Sequence, residues 1–163
     1  MIRRKAMIEV SYLHTIVLSG YWTEEHWQSW ADELILHNSE LEYWVYDVAF
    51  AKDKDELLLA IAQVLVVFDE ETSYSEQDVI VGYYYMMYLE GRMGLEELLY
   101  RLSDEDDDSY GYQGRDSQKT IDIIDRAKKG EKNLEELDAL LTPFVKPAKE
   151  QLYKLTHYLM NDN

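Results

Sequence analysis

The feature that most constrains the fold is residues 75–102, SEQDVIVGYYYMMYLEGRMGLEELLYRL, where the largest side chains of the chain are concentrated. Ten of the eleven residues from 79 to 89 are bulky and apolar or aromatic. Ser75 is a suitable N-cap, while Gly91 and Gly94 bracket a turn, so the stretch predicts a central helix followed by a short second one. A helix with bulky residues on every side must be covered by neighbouring helices.

Residues that start and stop helices divide the amino-terminal part of the chain. Ser11 predicts the N-cap of a first helix, and Gly20 predicts its end because glycine readily adopts the left-handed conformation. Thr23 predicts the start of a second helix, and Asn38 its end. The apolar residues between these positions recur at helical spacing, which indicates one buried face on each helix.

Ser39 with Glu42 forms a capping box that predicts a third helix, and Asp53 followed by Glu56 indicates the start of a fourth. We expect the fourth helix to run to about Phe68 and to be apolar nearly all round, which is typical of a helix in the middle of a stack. Its β-branched residues leave a strand as an alternative for its second half.

Residues that start and stop helices also divide the carboxy-terminal part of the chain. A helix is predicted over residues 117–129 and closed by Gly130. A further helix is predicted over residues 133–141 and broken by Pro143, and Pro147 is expected to open the last helix.

These patterns together predict an all-α fold, a single-domain irregular stack of about nine short helices over residues 1–163. The hydrophobic share of 47% is normal for a globular domain. Residues 103–115 combine adjacent acidic residues with glycines, and we expect an acidic loop there.

Charge excludes several classes of function. The chain has 33 acidic and 16 basic residues, a net charge of −17. Residues 53–108 hold 16 acidic and 3 basic residues, whereas residues 109–163 are balanced. A surface of this sign is unsuited to nucleic acid or to anionic membranes, so we expect no direct binding of either. It suits a basic protein partner, although a face that only aids solubility is the alternative.

Two acidic segments on either side of the central stretch are the candidate partner-binding site. Carboxylates there would steer a basic protein towards aromatic side chains that anchor it. The predicted site residues are Asp69, Glu70, Glu71, Asp104, Glu105, Asp106, Asp107, Asp108, Tyr110 and Tyr112. Tyr83, Tyr84, Tyr85 and Tyr88 of the central helix fit either a core or an interface.

No catalytic or metal-binding pattern occurs in the sequence. The sequence contains no cysteine, and it contains no HExxH motif, no GxSxG motif and no glycine-rich phosphate loop. A calcium loop starting at Asp104 fails, because Ser109 stands where glycine is needed and Arg115 where glutamate is needed. Glu33 and His37 are one helical turn apart, which indicates a surface pair. We therefore expect no enzyme activity, no metal and no cofactor.

Two features favour a cytoplasmic protein. Free of cysteine, the chain suits a reducing compartment. Its apolar runs are too short for a signal peptide or a membrane span.

The segment 20–35, GYWTEEHWQSWADELI, combines a Gly-aromatic-Trp turn, a capped helix and a Trp-Ala pair. In these features the amino-terminal third resembles helical immunity proteins of bacterial polymorphic-toxin and contact-dependent inhibition systems. The resemblance implies a binding role, in which the chain occludes a cognate toxin domain such as a basic nuclease. Two alternatives stay open: a helical adaptor or scaffold with a solubilising acidic surface, and a nucleic-acid mimic.

Overall fold

A computed structural model describes residues 2–66, 76–102, 117–130 and 134–157 of the chain. Contacts between Cα atoms group the chain into two compact units. Unit 1 comprises Met1–Ser73 and Lys149–Asn163, and unit 2 comprises Tyr74–Ala148. The single domain expected over residues 1–163 stays a prediction, and each unit is described by itself.

The all-α prediction is confirmed, because the described residues form eight helices and contain no strand. Unit 1 holds the first four helices, and unit 2 the next three. The eighth helix gives its first part to unit 2 and its last part to unit 1. The helices are α1 (Ile2–Leu18), α2 (Glu24–His37), α3 (Tyr43–Phe50), α4 (Lys54–Val66), α5 (Glu76–Leu89), α6 (Leu95–Leu102), α7 (Ser117–Lys128) and α8 (Leu134–Thr156).

Tryptophan forms much of the core of unit 1. All four indole side chains are at most 7% exposed. Trp30 lies between two of the others, with ring centroids 6.1 Å from Trp22 and 6.3 Å from Trp44. Its indole N–H donates to the carbonyl oxygen of Leu155 at 3.0 Å. That carbonyl lies in the last turn of α8, where no N–H of the same helix can reach it.

The core of unit 2 contains one unusually close approach between helices. A Cβ atom added to Gly82 of α5 would lie 2.8 Å from the carbonyl carbon of Phe144 and 2.9 Å from Cβ of Ala148, both in α8. Such separations are shorter than van der Waals contact, so only glycine fits at this position. The absence of a side chain at residue 82 therefore sets the distance between the two helices.

Helix α8 corrects the prediction of two helices separated at Pro143. It runs without a break through Pro143 and Pro147, although each proline removes one backbone donor from the helix. Buried Leu137, Leu141 and Val145 follow one another at four-residue spacing, so one apolar face continues past Pro143. Packing of that face outweighs the lost hydrogen bonds, so residues 134–156 form one helix where two were expected.

Several predicted helix ends are confirmed. Thr23 is the N-cap of α2, and its backbone N–H donates to Nδ1 of His26 at 3.1 Å. Asp53 accepts the backbone N–H of Glu56 at 2.8 Å at the start of α4. Gly20 and Gly130 follow α1 and α7 with positive φ angles of 81° and 91°.

Two predicted helix starts are wrong. Helix α1 begins at Ile2 and not after Ser11, which lies inside the helix between the buried Val10 and Thr15, whose hydroxyl donates to the Ser11 carbonyl oxygen at 3.0 Å. Ser39 does not cap α3, whose N-cap is Glu42. The carboxylate of Glu42 accepts the indole N–H of Trp44 at 2.9 Å instead of reaching back to Ser39. The predicted cap at Ser75 lies outside the described residues.

Candidate functional site

The acidic segments predicted as the partner-binding site lie outside the described residues. They fall in the connections 67–75, between α4 and α5, and 103–116, between α6 and α7. Their assignment therefore stays a prediction for all ten residues: Asp69, Glu70, Glu71, Asp104, Glu105, Asp106, Asp107, Asp108, Tyr110 and Tyr112.

The tyrosines of α5 are mainly packing residues within the chain. Tyr83 is fully buried and Tyr85 is 3% exposed, whereas Tyr84 and Tyr88 are partly exposed. The guanidinium of Arg101 in α6 lies 5.4 Å from the ring centroid of Tyr84, a cation–π contact. The sequence left open whether the four tyrosines of α5 lie in the core or at an interface. Tyr83 and Tyr85 lie in the core.

Tyr85 is also a strongly perturbed titratable group. Its hydroxyl donates to the carboxylate of Asp138 in α8. Burial, together with this bond to a carboxylate, raises the pKa of Tyr85 well above its usual value near 10. The phenol is therefore neutral at physiological pH, and it acts as a hydrogen-bond donor between two helices and not as an acid.

An open groove on unit 1 is the strongest candidate for a binding surface among the described residues. It lies between α3 and α4 and has a volume of about 410 Å³. Apolar and acidic side chains share its walls. The lining residues are Asp47, Phe50, Ala51, Glu56, Leu59, Ala60 and Gln63.

The outer face of helix α3 forms one wall of the groove. This wall is apolar because α3 has large hydrophobic side chains on two opposite faces, and only the inner face is buried. Trp44, Val45 and Val48 are buried on the inner face. On the opposite face Phe50 is 76% exposed and Tyr43 is 88% exposed. A helix of eight residues has room for only one core-facing stripe, so the second set of large side chains remains in solvent.

Helix α4 supplies the other wall and corrects the prediction that it is buried all round. Leu57 and Ile61 are fully buried, whereas Leu59 on the opposite face is 77% exposed. Glu56 and Gln63 are exposed on the same outer face, one turn on either side of Leu59. The helix continues to Val66, so the strand alternative for its second half is also wrong.

Hydrogen bonds hold the floor of the groove in place. The carbonyl oxygen of Ala51 accepts the indole N–H of Trp27 at 3.1 Å and the side-chain amide of Gln28 at 2.9 Å. The carboxylate of Glu56 accepts the backbone N–H of Lys52 at 2.8 Å. Three contacts therefore fix the short connection between α3 and α4, and the two walls have a defined separation.

The groove carries negative charge. Residues 40–63 contain six carboxylates and two lysines. Lys54 directs its ammonium group to the carbonyl oxygen of Leu18, at 3.2 Å. Asp47, on the α3 wall, is exposed and makes no hydrogen bond or ion pair to any residue that the structure describes. Its carboxylate is thus available to a cation from outside the chain.

The sequence contains a signal that could have indicated this groove. On a helical wheel the aromatic residues Tyr43, Tyr46 and Phe50 fall on one side of α3, opposite Trp44 and Val48. A helix with large side chains on two opposite faces either lies inside a stack or exposes one of them. Whether α3 is covered on both faces or exposes one of them depends on how many helices pack against it. The periodicity of the sequence does not indicate how many do.

The described residues contain neither a metal-binding cluster nor a membrane-spanning helix. Within them, no group of three or more His, Cys, Asp or Glu residues is arranged to hold a metal ion. The described helices include none long and apolar enough to cross a bilayer. Glu33 and His37 form the expected surface pair. Oε2 of Glu33 lies 3.2 Å from Nε2 of His37, and both side chains are more than half exposed.

Comparison of the chain with protein-family models, curated proteins and solved structures gives no match. The resemblance of residues 20–35 to helical immunity proteins therefore stays a prediction.

Proposed function

We propose that the chain is a protein inhibitor of the immunity type, which binds a basic toxin domain such as a nuclease and occludes its active site. In this proposal the chain performs no reaction and needs no cofactor, and it acts in the cytoplasm of a bacterium. A nuclease active site is positively charged because its substrate is a polyanion. An inhibitor of such a site needs clustered carboxylates that steer association and a few aromatic anchors that slow dissociation.

The observation that carries the proposal is the uneven charge of the chain. Residues 53–108 have 16 acidic and 3 basic residues, whereas the following 55 residues are balanced. Solubility alone requires no such concentration, since an even distribution of the same charge would serve it equally well. The acidic segments 69–71 and 104–108, with Tyr110 and Tyr112 beside the second, combine carboxylates with aromatic side chains.

A protection assay tests the proposal. A basic toxin domain encoded beside the gene for this chain is expressed in a bacterial host, with and without the chain. We expect the host to survive only with the chain, and the two proteins to co-purify at about 0.5 M salt because anchored contacts persist when charges are screened. Cell death despite a folded, co-expressed chain would overturn the proposal.

Charge neutralisation then tests the role of the acidic loop. Replacing Asp104, Asp106, Asp107 and Asp108 with asparagine removes four charges, and we expect association to slow by about tenfold at low salt. The matched control removes four exposed carboxylates outside the acidic segments: Asp32→Asn, Asp125→Asn, Glu135→Gln and Glu150→Gln. An adaptor whose acidic surface serves only solubility should show equal association rates for the two variants.

A further inference from the structure

The groove between α3 and α4 combines exposed apolar side chains with exposed carboxylates. Phe50 and Leu59 are 76% and 77% exposed on its opposite walls. Two large apolar side chains that are exposed on facing walls of one groove offer anchoring points for a bound segment. Asp47 and Glu56 lie beside these two residues along the same walls, so the apolar surface has an acidic border.

We propose that this groove is the docking site for a basic segment of a partner protein. An apolar side chain of that segment seats between Phe50 and Leu59, and a neighbouring lysine or arginine pairs with Asp47 or Glu56. The inference rests on the proposed function, because the groove would provide an anchoring contact of the inhibitor complex in addition to the acidic loops.

Charge complementarity selects this occupant over others. Docking would take Asp47 partly out of water, and a carboxylate without a partner is destabilised there. A lysine or arginine in the segment supplies that partner, whereas an acidic segment would be repelled by both Asp47 and Glu56. A second copy of this chain, with its net charge of −17, is disfavoured for the same reason.

The dimensions and rigidity of the groove suit a short segment. Its volume of about 410 Å³ lies in the range of roughly 300–1,000 Å³ that is usual for pockets that bind small ligands. It therefore accommodates a few side chains and not a whole domain surface. The bonds to the Ala51 carbonyl and from the Lys52 N–H hold the walls before binding, which reduces the ordering required on association.

Selection from a random peptide library tests the docking proposal and does not require that the partner be identified first. The library is displayed on phage and selected against the full chain. We expect enriched peptides to place an aliphatic or aromatic residue next to lysine or arginine. Enrichment of peptides without basic residues, or no enrichment at all, would overturn the proposal.

Matched variants locate the binding of one enriched synthetic peptide. We expect Leu59→Ser to weaken its affinity by at least about tenfold, because the variant removes an apolar anchor. Leu36→Ser is the control: Leu36 is 75% exposed on α2 and does not line the groove. Asp47→Asn should also weaken binding, in contrast to Asp32→Asn. Equal affinities within each pair would refute the site.

The two proposals fail in different ways. If the wild-type chain protects the host and Leu59→Ser protects equally well, the docking proposal fails while the inhibitor proposal stands. If the wild-type chain gives no protection, the inhibitor proposal fails, and the peptide selection still decides whether the groove binds a basic segment. Circular dichroism of each variant shows whether the helices are retained.

Discussion

Two helices rich in aromatic residues, α5 of unit 2 and α3 of unit 1, differ in how far their aromatic side chains are covered. In unit 2, α5 directs Tyr83 and Tyr85 inward, where Tyr85 donates to Asp138. In unit 1, α3 directs Tyr43 and Phe50 outward, while tryptophans fill the core beneath them. The difference shows that a dense aromatic cluster in a sequence does not by itself indicate an interface. What decides is whether neighbouring helices cover both faces of the helix that carries it.

The largest effect is expected at Gly82, where α8 covers α5 most closely. Gly82→Ala forces a methyl group against the backbone of Phe144, so we expect the free energy of unfolding to fall by about 3 kcal/mol. Urea unfolding followed by circular dichroism measures the loss. Gly94→Ala is the control, since nothing lies within 4 Å of the added carbon. Equal stability of the two variants would mean that α5 and α8 do not approach as closely as described.

The Trp30 indole tests the core of unit 1. Trp30→Phe removes the donor to the Leu155 carbonyl and part of the ring contact with Trp22 and Trp44. We expect a loss of about 2 kcal/mol, from the unpaired carbonyl and the smaller side chain together. The same urea titration measures it. A variant as stable as the wild-type chain would show that this bond does not hold the end of α8.

The Tyr85 hydroxyl tests whether tyrosine in unit 2 stabilises helix packing. Tyr85→Phe removes the donor to Asp138, and we expect a loss of about 1 kcal/mol at neutral pH, again measured by urea unfolding.

Alkaline pH supplies a second signature of the same residue. Because the folded state raises the pKa of Tyr85, its contribution is fully present below pH 10, the usual phenol value, and falls as pH rises further towards the raised pKa. The wild-type chain should lose stability above pH 10 more steeply than Tyr85→Phe. Parallel curves for the two proteins would contradict the assigned shift.

The smallest effect is expected at the outward face of α3. Phe50→Ser should change the free energy of unfolding by less than about 0.5 kcal/mol, because an exposed side chain loses little packing. The contrast with Trp30→Phe, in the same unit, separates an outward aromatic residue from a core one. A loss comparable to that of Trp30→Phe would show that Phe50 is covered in solution.

Local signals predicted much of the fold. Thr23, Asp53, Gly20 and Gly130 mark helix ends correctly, since caps and left-handed glycines act through neighbouring backbone atoms. The short helix expected after the turn at Gly91 and Gly94 is α6, which begins at Leu95.

The errors arise where distant packing overrides a local preference. Pro143 does not end α8, because the apolar face continues past it. Glu42 does not form a capping box, because Trp44 engages its carboxylate. The groove escaped prediction for the same reason, since exposure of Leu59 depends on which helices surround α4.

The tryptophan core has a practical consequence for spectroscopy. All four tryptophans of the chain fall between residues 22 and 44, within unit 1, and the Trp27 indole bonds to the Ala51 carbonyl that lines the groove. Intrinsic fluorescence excited near the indole absorption edge therefore reports on one half of the molecule alone. The Trp27 indole is a native fluorophore one hydrogen bond away from a residue of the groove, so binding there can be monitored without an attached dye.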